Sequence, residues 1–145
     1  AALADAGRAG PAFLLADGRQ WMLLAEPDAA AVRAALPPGR SAAWRRLDAS
    51  IACELVLAGL WNVADADERV AYHHDAGDAV EAAHRRAGVA LLLNPARHSD
   101  VLAVAARGER MPRKSTSFGP KPRTGLLMRL LTDPPSVPEP AAGRR

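Results

Sequence analysis

The longest helical pattern in the chain lies near its middle and constrains the fold. Between residues 47 and 60, apolar residues recur at helical spacing, and a tryptophan stands near each end: Leu47, Ile51, Leu55, Val56, Leu60, Trp44 and Trp61. This spacing puts apolar side chains on one side of an amphipathic helix. A chain of 145 residues has the size of one domain. We therefore expect the helix at 47–60 to be central and to cover a β-sheet.

Short apolar runs broken by turn residues predict the N-terminal elements. The run PAFLLADGRQWMLLA at 11–25 contains Asp17-Gly18, a dipeptide that supplies positive φ to a two-residue turn, and it predicts a β-hairpin. Asp28 can cap a short alanine-rich helix that ends at Leu36, before two prolines. A hairpin followed by a short helix is therefore expected before the central helix.

The second half of the chain predicts a βαβ unit. It comprises a strand at 70–73, a helix that starts at residue 75 or 77 and is closed by Gly88, and a strand at 89–93. Ser99 can cap the next helix, and a last strand is expected at 126–131. The hairpin and the strands at 89–93 and 126–131 are expected to share one sheet.

These elements predict an α+β fold with a mixed β-sheet, an N-terminal hairpin, a central covering helix and βαβ units. We expect residues 1–132 to form one domain. The segment PPSVPEPAAGRR has too few apolar residues to pack, so 133–145 is expected to be a disordered tail.

Composition favours a soluble protein of a reducing compartment. Hydrophobic residues make up 49% and charged residues 24% of the chain, and no apolar run approaches the roughly 18 residues needed to cross a bilayer. Cys53 is the single cysteine, which excludes internal disulfides and multi-cysteine metal sites. We expect a cytoplasmic protein without a membrane partner. Because the sequence begins AALADAG, without an initiator methionine, it is expected to be part of a longer protein.

The basic charge is concentrated near the C-terminus. Residues 1–106 carry 10 Arg and Lys against 13 Asp and Glu, whereas residues 107–145 carry 9 against 3. Arginine outnumbers lysine 17 to 2, and both lysines, Lys114 and Lys121, lie in this basic region. A flexible ammonium and a planar guanidinium act differently at a phosphate, so the position of the two lysines points to a function.

The segment GERMPRKSTSFGPKPRTG at 108–125 has the composition of an oxyanion-binding loop. It combines five basic residues, four hydroxyl residues, three glycines and three prolines. Glycines let backbone N–H groups approach phosphate oxygens, hydroxyls add donors, and cationic side chains strengthen those hydrogen bonds. The residues expected to bind phosphate are Arg113, Lys114, Ser115, Thr116 and Lys121. The alternative interpretation is a solvated basic loop between a helix and an edge strand.

At this segment the chain resembles a bacterial and archaeal family described as domain of unknown function 1015. Its members carry MPxKST, F, PK and GL in the order that MPRKSTSFGPKPRTGLLM shows here. The resemblance continues upstream through WRRLD at 44–48, YHHD at 72–75 and LLLNP at 91–95. It covers only the C-terminal portion of longer members. Gly119 stands where many members carry a larger residue, so no stacking role is carried over to that position.

The resemblance implies a function that the composition does not. The family is loosely described as similar to chromosome-partitioning ParB proteins, whose fold includes nucleotide-using enzymes and free-serine kinases, and its genes often lie near serine-biosynthesis genes. It implies a small-molecule phosphotransferase, linked to serine metabolism, that acts together with the N-terminal part of the longer protein. Mg²⁺ with a nucleotide is the expected cofactor.

Other residues are weaker candidates. His74 or Asp75, at the end of the strand expected at 70–73, can act as a general base, with a plain exposed pair of histidines, His73 and His74, as the alternative. One of these histidines is expected to pack, because neighbours on a strand point to opposite faces. Asp48 is expected to cap the central helix. The three tryptophans, Trp21, Trp44 and Trp61, are expected to be core or interface anchors.

Three functions therefore compete. The first is a domain that binds a phosphorylated small molecule or nucleotide and supports phosphoryl transfer. The second is a ParB-like regulator whose basic loop contacts nucleic-acid phosphates, against which stand the shortness of the loop and the lack of an aromatic row. The third is a structural module in which the loop locks the last strand against an N-terminal domain.

Overall fold

A computed structural model describes residues 2–64 and 68–116 of the chain. Lys121, the strand expected at 126–131 and the tail expected at 133–145 lie outside the described residues. The described elements are, in chain order, α1 (Ala2–Ala6), β1 (Ala12–Ala16), β2 (Trp21–Ala25), α2 (Ala29–Ala35), α3 (Ala42–Arg45), α4 (Asp48–Ile51), a π-helix (Ala52–Leu60), α5 (Ala76–Arg85), β3 (Ala90–Leu93) and α6 (His98–Ala105). The α+β class is confirmed.

Three strands form the sheet in the order β2-β1-β3, and β1 pairs antiparallel with both neighbours. The hairpin and the strand within 89–93 are confirmed. The expectation of a mixed sheet is not met in the described residues, where every pairing is antiparallel. The hairpin turn also lies one residue further along than expected. Asp17 pairs with Gln20 across it, and Gly18, with a φ of 88°, is its first central residue.

The predicted βαβ unit is wrong because residues 70–73 do not form a strand. Within this run only Val70 is partly buried, and Ala71, Tyr72 and His73 are exposed, so the run has no apolar face to pack against a sheet. The extended segment instead leads directly into α5, which Asp75 caps. The helix and β3 follow as expected.

The central helix is α-helical for only its first turn. Asp48 is the first helical residue and Leu47 occupies the cap position, so the predicted cap at Asp48 is wrong. From Ala52 the helix widens, and it closes with Trp61 N–H donating to the Val56 carbonyl at 3.0 Å, five residues back. Widening keeps Ile51 and Val56, which are five positions apart, on the same buried side.

The main core lies between one face of the sheet and the helices that follow the hairpin. It contains buried apolar side chains from β1, from the helical segment between residues 36 and 56, and from α6: Phe13, Leu36, Trp44, Leu47, Ile51, Ala52, Val56 and Val104. Leu24 and Leu93 pair with Phe13 across the sheet and pack against this cluster. On the other face, Trp21 pairs with the buried Ala16 and lines a cleft with α5. The sheet therefore lies between helices on both of its faces.

Two further expectations need correction. Arg97, not Ser99, occupies the cap position of α6, and no side chain caps this helix. Trp21 is 57% exposed and Trp61 is also exposed, so Trp44 is the tryptophan that belongs to the core. In the described residues, no helix has the length and apolar content needed to span a bilayer.

Candidate functional site

The basic segment begins with contacts that hold it against α3. The Ser41 N–H donates to Glu109 Oε1 at 2.9 Å, while Ser41 Oγ accepts from the Trp44 N–H at 3.2 Å. The indole Nε1 of Trp44 donates to the Arg110 carbonyl at 3.1 Å. In a capping box the glutamate follows the cap by three residues, whereas here Glu109 supplies the same contact from 68 positions away.

Electrostatics reinforce this contact. The hydroxyl of Ser41, followed by its backbone N–H, lowers the pKa of Glu109 against the opposing effect of burial, and Arg40 and Arg107 lower it further. Glu109 Oε2 is buried with no hydrogen-bond partner among the described residues. Met111, two residues on, packs against the core cluster. Residues 109–111 are therefore structural.

Residues 112–115, which we name the basic turn, project beyond this anchor. The Ser115 N–H donates to the Pro112 carbonyl at 3.3 Å, and Ser115 Oγ donates to the same carbonyl at 2.7 Å. Lys114 has a φ of 56°, in the left-handed region, and its side chain is exposed. The Ser115 hydroxyl proton is thus used within the turn, whereas the side chains of Lys114 and Thr116 are exposed to solvent.

The structure brings the basic turn to the histidine-rich segment. The guanidinium carbon of Arg113 lies 5.8 Å from the centroid of the Tyr72 ring, within the range of a cation–π contact. Tyr72 directly precedes His73 and His74, and 41 positions separate it from Arg113 in the sequence. Two predicted parts of the site, which lie far apart in the sequence, thus meet through this contact.

The histidine-rich segment is open to solvent. His73 and His74 are both exposed, so the expectation that one of them packs is wrong, because the strand that would have turned it inward is absent. Asp75 caps α5, and its Oδ1 accepts from the Asp78 N–H at 3.0 Å. Because capping occupies that oxygen of Asp75, His74 is the more available of the two predicted bases.

A cleft between the hairpin and α5 escaped the sequence analysis. This hairpin cleft has a volume of about 330 Å³ and is lined by Gly18, Trp21, Ala76, Gly77, Val80, Glu81 and His84. The α5 residues follow one another at intervals of one or three positions and form one side of that helix. The cleft could not be predicted from the sequence, because it forms between segments far apart in the chain, and the apolar pattern predicted Trp21 only as a core or interface anchor.

Asp48 is a second titratable group in an unexpected position. It is half-buried, and burial raises its pKa, although a hydrogen bond with the Asn94 side chain and the nearby charge of Arg97 oppose that rise. Asn94 Nδ2 also donates to the Leu3 carbonyl at 3.3 Å. These contacts connect α1, the central helix and the residues after β3, which is a structural role.

The described residues contain no group of three or more histidine, cysteine, aspartate or glutamate side chains that could hold a metal ion. A magnesium ion held mainly by phosphate oxygens needs only one or two carboxylates from the protein. Asp75 and Asp78, both exposed at the start of α5, have the chemistry to supply them.

Lys121 lies outside the described residues, so the expectation that it shares a cleft with Lys114 stays a prediction. No family model matches the chain, and neither a curated protein nor a solved structure matches it. The resemblance to the family described as domain of unknown function 1015 therefore stays a prediction too, carried by the motifs at 44–48, 72–75, 91–95 and 111–128.

Proposed function

We propose that the chain binds a phosphorylated small molecule or a nucleotide through the basic turn, as part of a cytoplasmic protein. The observation that supports the proposal most directly is the left-handed backbone conformation of Lys114. A side chain in the left-handed region costs about 1–2 kcal/mol, and glycine would avoid that cost. Lysine, which occurs only twice in the chain, stands there instead. Strained residues of this kind cluster at ligand sites.

The surrounding residues have the chemistry that phosphate binding requires. Lys114 supplies a compact ammonium, and Thr116 supplies an exposed hydroxyl donor. Arg113 lies over Tyr72 and adds positive charge beside His73 and His74. These groups would neutralise a transferring phosphoryl group, and His74 would accept the proton of the hydroxyl that attacks it.

The charge at the start of α5 favours the basic turn as the anion site. Asp75 at the cap position and Asp78 in the first turn place two carboxylates at the start of α5, where a helix would otherwise attract an anion. When no metal ion bridges them to a ligand, their negative charge repels phosphate from the helix end. The basic turn, in contrast, contains no acidic residue, and the exposed Lys114 adds positive charge there.

Replacement of Lys114 by glycine separates the proposed function from a structural role. If the side chain serves a ligand, Lys114→Gly should raise the free energy of unfolding by about 1 kcal/mol, because the backbone strain is relieved. It should also abolish the rise in melting temperature caused by phosphate, pyrophosphate or ATP. In the parent chain, a ligand at a hundred times its Kd should stabilise by about 2.7 kcal/mol.

Ala87→Gly is the matched control, since Ala87 has a φ of 51° and no functional side chain. It should stabilise the chain similarly and keep the full ligand response. A Lys114→Gly protein that still responds to every ligand would overturn the proposal and leave the turn as a structural element. Binding to duplex DNA with a steep loss of affinity as salt rises would instead support the nucleic-acid alternative.

A further inference from the structure

The hairpin cleft has one aromatic wall and one helical wall. Trp21 is 57% exposed at the start of β2, on the sheet face that α5 covers. Opposite it, Ala76, Gly77 and Val80 present small or apolar surface. The small side chains at Ala76 and Gly77 leave open space between Trp21 and the start of α5, and this slot suits a flat apolar group.

The polar groups of the cleft lie toward one end. His84 packs beneath the hairpin turn so closely that a Cβ on Gly18 would lie 2.7 Å from its Nδ1. Glu81, one turn earlier in α5, forms an ion pair with Arg85 through a single oxygen, Oε1. A ligand in the slot would therefore meet a carboxylate acceptor and an imidazole at its edge.

From these observations we infer that the hairpin cleft binds a purine base that carries an amino group, with adenine as the type. The flat heterocycle stacks on Trp21, as bases do on exposed aromatic side chains in nucleic-acid-binding proteins. Its amino group donates to Glu81. A volume of about 330 Å³ is at the lower end for small-ligand pockets and matches a ligand of nucleoside size.

This inference rests on the proposed function, because it names the nucleotide as the phosphorylated ligand. The basic turn and the cleft are connected through the start of α5: Arg113 lies over Tyr72, and Tyr72 precedes the cleft residue Ala76 by four positions. Four residues span at most about 14 Å. A ribose and a chain of phosphates can bridge such a distance, while the carboxylates of Asp75 and Asp78 direct the phosphates toward Arg113 and Lys114.

Titration calorimetry tests the base site and the phosphate site separately. Adenosine, pyrophosphate and ATP are titrated into the full chain, into Trp21→Ala and into Lys114→Ala. Trp21→Ala should weaken adenosine and ATP binding roughly 5- to 150-fold and leave pyrophosphate binding unchanged. Lys114→Ala should leave adenosine binding unchanged. Inosine, which presents a carbonyl where adenosine has the amino group, should bind more weakly than adenosine, and Glu81→Gln should reduce that difference.

Met22→Ala is the matched control, because Met22 is equally exposed, at 57%, but points to the other face of β2; its adenosine affinity should equal that of the parent. Trp21→Phe keeps an aromatic wall and should retain most of the binding if Trp21→Ala folds poorly. Equal adenosine affinity in the parent and Trp21→Ala, or no adenosine binding by the parent, overturns the inference. Pyrophosphate binding that depends on Lys114 would still support the proposed function in that case.

Discussion

At the scale of single residues, the clearest departures from sequence expectation are contacts between partners far apart in the sequence. Glu109 completes the cap of α3 from 68 positions away. The C-terminal end of α5 also differs from the sequence expectation, although here the contacts join neighbouring residues. Gly88 was expected to close α5, but Ala87 takes the left-handed conformation, and the Gly88 N–H donates to the Ala83 carbonyl at 2.9 Å. These contacts complete a Schellman motif with alanine where glycine is usual.

The Glu109 carboxylate should make part of the stability depend on pH. Because the folded-state pKa lies below the usual value of 4.5, the contribution is present above about pH 4.5 and is lost as pH falls through the folded-state pKa. Asp17 and Asp28, whose pKa values backbone N–H groups lower, act in the same direction. Urea unfolding at pH 7 and pH 3 should therefore show a smaller acid loss for Glu109→Gln than for the parent.

Trp44→Phe provides the comparison for Glu109→Gln. It removes the neighbouring hydrogen bond to the Arg110 carbonyl without removing a titratable group. Its cost of about 1–3 kcal/mol should be similar at both pH values. If Glu109→Gln lost as much stability in acid as the parent, the Ser41 contact would not be the source of the acid sensitivity.

At the scale of elements, the hairpin and α5 are fitted to each other through a glycine and a histidine. Gly18 has a φ of 88°, and its Cα leaves no room for a side chain because His84 lies against it. The Asp17 side chain accepts from the N–H groups of Arg19 and Gln20 at 2.8 and 2.7 Å. Local chemistry thus forms the turn, and the glycine lets α5 approach it.

Gly18→Ala should lower the free energy of unfolding by more than the roughly 1–2 kcal/mol expected from its φ alone, because the new methyl group collides with His84. In a His84→Gly background, which also removes the His84 Cβ that would lie 2.7 Å from the new methyl group, the collision is absent and only the backbone cost should remain. Gly10→Ala, where a Cβ meets nothing within 4 Å, should change stability by about 0.5 kcal/mol or less. Additive costs of Gly18→Ala and His84→Gly in urea unfolding would contradict the predicted collision.

At the scale of the whole molecule, Phe13 joins the sheet to the helical layer. It is 3% exposed in the central strand and belongs to the core cluster together with residues of the central helices and α6. A core built by elements so far apart in the sequence should unfold cooperatively. Secondary structure and tertiary packing are then lost together.

Phe13→Ala should cost about 3–5 kcal/mol, which is a large fraction of the stability of a small domain. Phe13→Leu, a milder change, should cost about 1 kcal/mol and keep the unfolding curves from circular dichroism and tryptophan fluorescence coincident. Leu23→Ala, on the exposed strand β2, is the control and should cost about 1 kcal/mol or less. Separate transitions in the two signals would contradict a single cooperative core.

Features that depend on neighbouring residues could be predicted from the amino-acid sequence. Turn chemistry placed the hairpin around Asp17 and Gly18, Asp28 was the predicted cap of α2, and apolar runs located β1, β2 and β3. The sequence also located the basic turn, because the composition of 108–125 is a local property. The π-helical widening of the central helix could not be predicted from the sequence. Over only two turns, apolar residues spaced four and five positions apart give nearly the same pattern.

Features that depend on partners far apart in the sequence could not be predicted in this way. The relative direction of β1 and β3 depends on how the two strands pack together in the folded chain. The antiparallel pairing could therefore not be predicted from either apolar run alone. The same holds for the contact of Arg113 with Tyr72 and for the cleft that Trp21 forms with α5. Local propensity sets the conformation of a segment, whereas burial against the rest of the chain decides which segments meet and which side chains stay in solvent.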